Sequence, residues 1–144
     1  MPFETFEKDG LTYRQATKAD FARILAFVDI FLRRDYLVRR AELERKLEVG
    51  TMLIVMDAEK LVSWAVMGKN ESLWNLLVHP KYRGRHIGQT IVERFRPLII
   101  RSKSDQSTGD PTPFYRKLGY RIVNERQGKN RNITIMQRVA EAEK

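Results

Sequence analysis

The chain has 144 residues and a mass of 17.0 kDa, contains no cysteine, and carries 27 Lys/Arg against 18 Asp/Glu for a net charge of +9. That length suits one enzyme-sized domain with a core of its own, because a compact chain of this size buries roughly 68 to 70% of its unfolded surface. The lack of cysteine excludes disulfides, thiolate zinc sites and a cysteine nucleophile, and two histidines, His79 and His86, are too few for a metal site, so no metal is expected.

The opening nine residues have no apolar segment of the kind that directs secretion, and no later apolar run approaches the ~20 residues that span a bilayer. A cytoplasmic protein with no membrane partner is expected, with residues 1–10 as a frayed leader. Leu11 to Ala16 alternates like a strand. Thr17, with Asp20 three positions on, then caps an apolar-periodic run from Phe21 that predicts a helix to about Arg34. Arg40 to Val49 sets Leu43 and Leu47 on one face of a second helix, and Gly50 is placed to stop it. Thr51 to Met56 and Leu61 to Met67 read as a hairpin around Asp57-Ala58-Glu59-Lys60, and Leu73 to Val78 makes the next strand.

That strand runs into Val78-His79-Pro80-Lys81-Tyr82-Arg83-Gly84-Arg85-His86-Ile87-Gly88-Gln89, which joins an apolar run to an amphipathic one through glycines and arginines. The amides that open a helix have no partners inside it and sit at the positive end of its dipole, so such a junction suits phosphate. A dinucleotide fingerprint is absent, as is the Gly-Lys-Ser/Thr of nucleotide-hydrolysing loops. Ile87, Ile91, Val92 and Phe95 continue at helical spacing until Pro97, and Leu98-Ile99-Ile100 begins another short strand, giving a strand, helix and parallel strand unit. Ser102 to Pro113 reads as a polar loop, Phe114 to Leu118 as a short helix ended by Gly119, and Tyr120 to Val123 with Asn132 to Met136 as a closing hairpin before a frayed tail at 140–144. The order is α/β in a single domain spanning 1–144.

Val-x-Pro-x-Tyr-Arg-Gly-Arg-x-Ile-Gly, followed by Pro113-Phe114-Tyr115-Arg116-Lys117-Leu118-Gly119-Tyr120, resembles the GCN5-related N-acetyltransferases (GNAT). The likeness extends from Leu11 to the strands around Ile122 and Ile133. It implies a mixed central sheet of about six to seven strands flanked by about four helices, and acetyl-CoA as the cofactor, released as coenzyme A. It further implies that Arg83, Gly84, Arg85, His86, Ile87, Gly88 and Gln89 wrap the pyrophosphate. Leu77 or Val78 would offer a backbone amide to the thioester, and Tyr115 would protonate the departing thiolate. The family's first loop glycine falls at His86, where a left-handed backbone would be strained, although His is enriched at positive φ among non-glycine residues.

Acetyl transfer needs a neutral amine, a donor for the oxyanion and a proton for the thiolate. Tyr115 has the hydroxyl for the last task, set against a packing role beside the core. Glu71, Asn75, His79 and Asp105 lie near the expected active edge, though Asn cannot take a proton, and the Ser and Asp of 102–109 also suit turn capping. Phe31, Arg33, Arg34, Tyr36, Arg39 and Arg40 occupy the region that lines the acceptor cleft in related enzymes, where arginines would suit a carboxylate or phosphate. Asp35, Glu42 and Glu44 interleave, so a salt-bridged surface is equally consistent.

Residues 1–80 carry 12 Lys/Arg and 12 Asp/Glu, whereas 81–144 carry 15 and 6, so the whole basic excess lies from the phosphate loop onward. The simplest account sets these cations against the phosphates of CoA, with the remainder facing solvent or an acidic acceptor. The favoured function is an acetyl-CoA-dependent N-acetyltransferase acting on an amine of a small molecule or protein, as a monomer or homodimer. A nucleic-acid-modifying relative is a less favoured alternative, because aromatic interleaving with the basic residues is sparse. A non-catalytic acyl-CoA-binding module is the other.

Overall fold

The computed structural model describes residues 4–31, 40–49, 51–104, 111–127 and 132–139. Its first element departs from expectation. Residues Phe6–Lys8, read from sequence as leader, form strand β1, which pairs antiparallel with β2 (Leu11–Gln15) through Phe6↔Tyr13. Asp9 and Gly10 both turn at positive φ, the geometry of a tight hairpin, and the Phe6 and Tyr13 rings stack at 4.6 Å. The sequence signal was hidden by charge, since Phe6 is the one apolar residue of the three.

Thr17 and Asp20 form the expected capping box over a 3₁₀ turn at Lys18–Asp20, which leads into α1 (Phe21–Phe31). The Asp20 carboxylate accepts the Thr17 amide at 2.9 Å and a two-pronged contact from Arg14 at 2.9 and 2.8 Å. Those Arg14 hydrogen bonds, ahead of the Thr17 amide, hold its pKa down at about 2 despite burial. Helix α2 (Arg40–Val49) follows, and α1 and α2 cover one face of the sheet with Ile24, Phe27, Val28 and Leu43 against Met52, Ile54, Trp64 and Val66.

Strands β3 (Thr51–Asp57) and β4 (Lys60–Met67) form the expected hairpin, turning at Ala58. Strand β5 (Ser72–Val78) pairs antiparallel with β4 and leads through a 3₁₀ turn at Pro80–Tyr82 to α3 (Ile87–Phe95). Helix α3 stops at a left-handed Arg96, two residues before the expected strand. That strand, β6 (Ile99–Ser104), runs four residues beyond Ile100, through part of the stretch read as loop. Arg-Ser-Lys-Ser has no strand-like alternation of its own, but it is held by four consecutive pairings to β8 (Asn132–Arg138).

Helix α4 (Thr112–Lys117) starts two residues before its expected position, with Pro113 accommodated in its first turn, and β7 (Tyr120–Gln127) continues four residues past Val123 to close the hairpin with β8. The eight strands run in the order β1-β2-β3-β4-β5-β6-β8-β7, one more than the upper sequence estimate because of β1. Helices α3 and α4 cover the second face, where Ile87, Ile91, Val92 and Tyr115 pack on Leu53, Val55, Ala65, Leu73, Ile100 and Met136. No helix among the described residues is long and apolar enough to cross a membrane.

Candidate functional site

Every neighbouring pair of strands is antiparallel except β5 and β6, and that parallel pair lasts only two residues, Ser72↔Ile99 and Leu73↔Ile100. Beyond it β6 follows β8 and β5 follows β4, so the sheet opens into a wedge. A bulge begins the divergence: Val66 pairs with Asn75 and Met67 with Leu73, leaving Trp74 as the extra residue of β5. Its indole lies across Gly68, where a Cβ would meet the ring at 1.8 Å. Gly68 is therefore the residue that lets the bulge form in this shape.

Peptide groups along a strand alternate between its two edges. The His79 amide donates to the Val62 carbonyl at 2.8 Å, so His79, Leu77 and Asn75 direct their backbone groups toward β4. Leu76 and Val78 therefore direct theirs toward the open side. Of the two amides expected at the thioester, Val78 faces the wedge and Leu77 does not; the Leu77 carbonyl instead accepts an additional hydrogen bond from Ser63 Oγ at 2.7 Å. Leu76 was not among the amides named from the sequence, and only the strand register reveals that its backbone faces the open side.

The loop after β5 is tied down by Tyr82. Its hydroxyl donates to the Asp57 carboxylate at the β3–β4 turn, which, ahead of burial, raises the phenol pKa. The Arg85 guanidinium lies 4.7 Å from the ring centroid and the Lys60 ammonium 5.4 Å, while the His79 ring meets it edge-on at 5.8 Å. His79 Nδ1 accepts from the Lys81 amide at 3.1 Å, capping the 3₁₀ turn. Burial, then the charges of Lys60, Lys81 and Arg83, lowers the imidazole pKa. These contacts give His79 a role in shaping the loop.

Arg83, Gly84, Arg85 and His86 are exposed at the mouth. Gly84 has φ +85° with open space around it, so the conformation rather than crowding calls for glycine. His86 takes the left-handed conformation raised by the sequence, at φ 61° and ψ 23°, and is the N-cap of α3. Its carbonyl accepts from the Thr90 amide at 2.9 Å and from Thr90 Oγ1 at 2.8 Å. With Thr90 the first amide bonded within the helix, those of Ile87, Gly88 and Gln89 have no helical partner. Gly88 lets α3 lie close to α4, since a Cβ there would stand 3.1 Å from the Phe114 ring and 3.7 Å from Leu76.

Tyr115 is on α4 in the core beneath these elements, 5% exposed, with Phe114 edge-on at 5.1 Å. Burial, reinforced by Tyr120, pushes its hydroxyl pKa well above the ordinary tyrosine value, so the phenol stays protonated through the physiological range. Ser102, on β6 beyond the last β5–β6 pair, holds a buried hydroxyl that lacks a hydrogen-bond partner.

The described candidate bases do not converge. Glu71 stands before β5, at the closed end of the wedge, where its carbonyl accepts the Leu98 amide. Asn75 Oδ1 accepts from Lys46 Nζ at 2.9 Å. Asp105 lies outside the described residues, as do Arg33, Arg34, Tyr36 and Arg39 of the expected acceptor region. Among the described residues no group of three His, Asp or Glu could hold a metal ion.

The fold is shared with solved acetyltransferase structures. A GCN5-related N-acetyltransferase structure from Rhodopseudomonas palustris superposes with a TM-score of 0.70 at 17% identity, covering 93% of this chain and 99% of the other. The ribosomal-protein-S18-alanine N-acetyltransferase of Escherichia coli gives 0.69 at 12% identity, covering 90% and 96%. YncA of Salmonella typhimurium, a putative acetyltransferase determined with its cofactor acetyl-CoA, gives 0.63 at 17% identity, covering 90% and 93%. No curated protein matches the chain by sequence. The family model described as the acetyltransferase (GNAT) domain matches residues 34–122, more than half of the chain and the whole stretch from β3 to α4, and the chain therefore belongs to the GNAT acetyltransferase family.

Proposed function

We propose that this chain transfers an acetyl group from acetyl-CoA to an amine, with the thioester in the wedge between β5 and β6. The observation that carries the reading is the end of the parallel pairing after Leu73↔Ile100, which leaves the backbone of Leu76 and Val78 unpaired beside the open N-terminus of α3. Arg83 and Arg85 supply charge, and the amides of Ile87, Gly88 and Gln89 supply donors, to a pyrophosphate at that terminus, with Gly84 and His86 shaping the approach. The family assignment and the acetyl-CoA in the YncA structure support the same cofactor.

The thioester brings an activated acyl carbon. Amides of Leu76 and Val78 face the side on which a thioester oxygen would gather negative charge, and one such donor is worth about 10²- to 10³-fold in rate. As the amine nitrogen bonds to the acyl carbon and the C–S bond breaks, Tyr115 gives its proton to the thiolate, the surplus proton of the new amide leaves to water, and the phenolate regains a proton by way of water. No described carboxylate is positioned to take that proton directly, which favours the water route. The reading extends to a single domain acting in the cytoplasm.

Calorimetric titration with acetyl-CoA, followed by thiol release across a panel of amines, tests the proposal. Saturable binding and amine-dependent release that falls at least about tenfold in Tyr115→Phe are expected. Binding without release for any amine would favour an acyl-CoA-binding module, and absence of binding would remove the function while leaving the fold.

A further inference from the structure

The registers of β6, β8 and β7 fix which of their residues share a face. Ile100, Met136 and Ile122 are in register and turn toward α3 and α4. The neighbouring rows turn the other way: Arg101 with Ile135, and Ile133 with Arg126, while Arg121 stands on the same side one row before Ile122. This second face of the C-terminal strands carries no described helix. Among the described residues, the apolar cluster under α1 and α2 draws on β3 to β5 and their immediate flanks.

This face has a simple composition. Half-buried Ile133 and Ile135 run down its centre on β8, with Arg101 on one side and Arg121, Asn124 and Arg126 on the other. Arg101, Arg121 and Arg126 are exposed, and none forms an ion pair among the described residues. The one acid of these strands, Glu125, is in register with Thr134 and Ser102 and so turns to the opposite face. Arg101 is also the first residue of β6 after its last pairing to β5, so the basic face begins at the wall of the wedge. CoA phosphates at the N-terminus of α3 cannot answer these cations, because β6, β8 and β7 present them from the face opposite to α3.

We infer that this face of β6, β8 and β7, which carries no described helix, is a docking platform for an acidic segment of a protein acceptor, which lays carboxylates between Arg101 and the Arg121–Arg126 row and delivers its amine into the adjoining wedge. The inference rests on the transferase reading and names its substrate class. Carboxylates suit arginines flanking a strand on both sides, and the isoleucine line accepts the apolar stems between them. A single-stranded nucleic acid would require aromatic side chains for its bases, and this face has none among its described residues.

The test is fluorescence anisotropy of a glutamate-rich peptide labelled at its C-terminus, with a neutral peptide and a single-stranded oligonucleotide as comparisons and no acetyl-CoA present. The glutamate-rich peptide is expected to bind more tightly than either comparison and to weaken as salt is raised. The double variant Arg121→Glu, Arg126→Glu should weaken it about tenfold or more, given the modest worth of each exposed pair and the added repulsion, with acetyl-CoA affinity unchanged. Equal peptide binding by wild type and variant, no preference for the acidic peptide, or tighter binding of the oligonucleotide overturns the inference. Peptide binding in a protein that takes no acetyl-CoA leaves the docking face standing while the transferase reading, and with it the acceptor role, falls.

Discussion

Replacing His86 by glycine should stabilise the protein. The residue holds φ 61° and ψ 23°, its side chain makes no capping hydrogen bond, and the bonds that end at His86 use its carbonyl, which glycine keeps. A left-handed conformation costs an L-residue roughly 1–2 kcal/mol, with histidine toward the lower end. Glycine removes that strain but adds freedom to the unfolded chain worth about 0.5 kcal/mol, so a net gain of about 0.5–1 kcal/mol is expected. For a chain of this length that corresponds to a rise in Tm of about 2–4 °C. Thermal unfolding of His86→Gly beside His86→Ala measures it, because alanine removes the imidazole and keeps the strained Cβ. Glycine should raise Tm and alanine should leave it level or lower it. If both variants lower Tm equally, the imidazole itself is stabilising and the strain argument is wrong. Acetyl-CoA titration of the same pair then reads the imidazole separately: weakening in both means that it touches the cofactor, and no change in either means that it does not.

Gly68→Ala should be much more damaging than an ordinary surface change, since its Cβ would fall within the Trp74 ring; a loss of about 2–4 kcal/mol in denaturant unfolding and weakened acetyl-CoA binding are expected, and a silent variant would show that the bulge does not depend on the indole. Asp20 has a folded pKa of about 2, below its ordinary 3.8, so its contribution is present above about pH 4 and lost as pH falls toward 2. Asp20→Asn should accordingly lower stability at neutral pH by about 1–2 kcal/mol and flatten the acid limb of the stability profile. Tyr82→Phe removes the bond to Asp57 while keeping the ring beneath Arg85, and should weaken acetyl-CoA binding by about threefold to tenfold with little change in Tm, checked by calorimetry beside thermal unfolding.

Most of the elements were legible because their signals are local. The hairpin of β3 and β4 announces itself through apolar strands around Asp57-Ala58-Glu59-Lys60, and α3 through Ile87, Ile91, Val92 and Phe95 at helical spacing. The left-handed backbone at His86 was legible from the loop pattern. What escaped depends on pairing across the sheet. Strand β1 is mostly charged and exists because β2 offers it a partner, and the polar end of β6 is held by β8. The extra residue at Trp74 breaks a register that no periodicity displays, and with it the choice among the amides of Leu76, Leu77 and Val78. The basic face of β6, β8 and β7 likewise appears only when three strands are set side by side.

The wedge also divides the hydrogen-bond ladder of the sheet. Five strands stand on one side of it and three on the other, joined along the ladder by the two pairings at Ser72 and Leu73. Cohesion between the halves therefore falls to the apolar layer under α3 and α4, where Leu73, Ile100, Ile91 and Tyr115 meet. Acetyl-CoA seated in the gap as proposed would be at once a reactant and a substitute strand, bonded to the backbone of β5 and seated against β6. Occupancy should thus be felt as rigidity, slowing amide exchange at Leu76 and Val78 and making the two halves unfold as one.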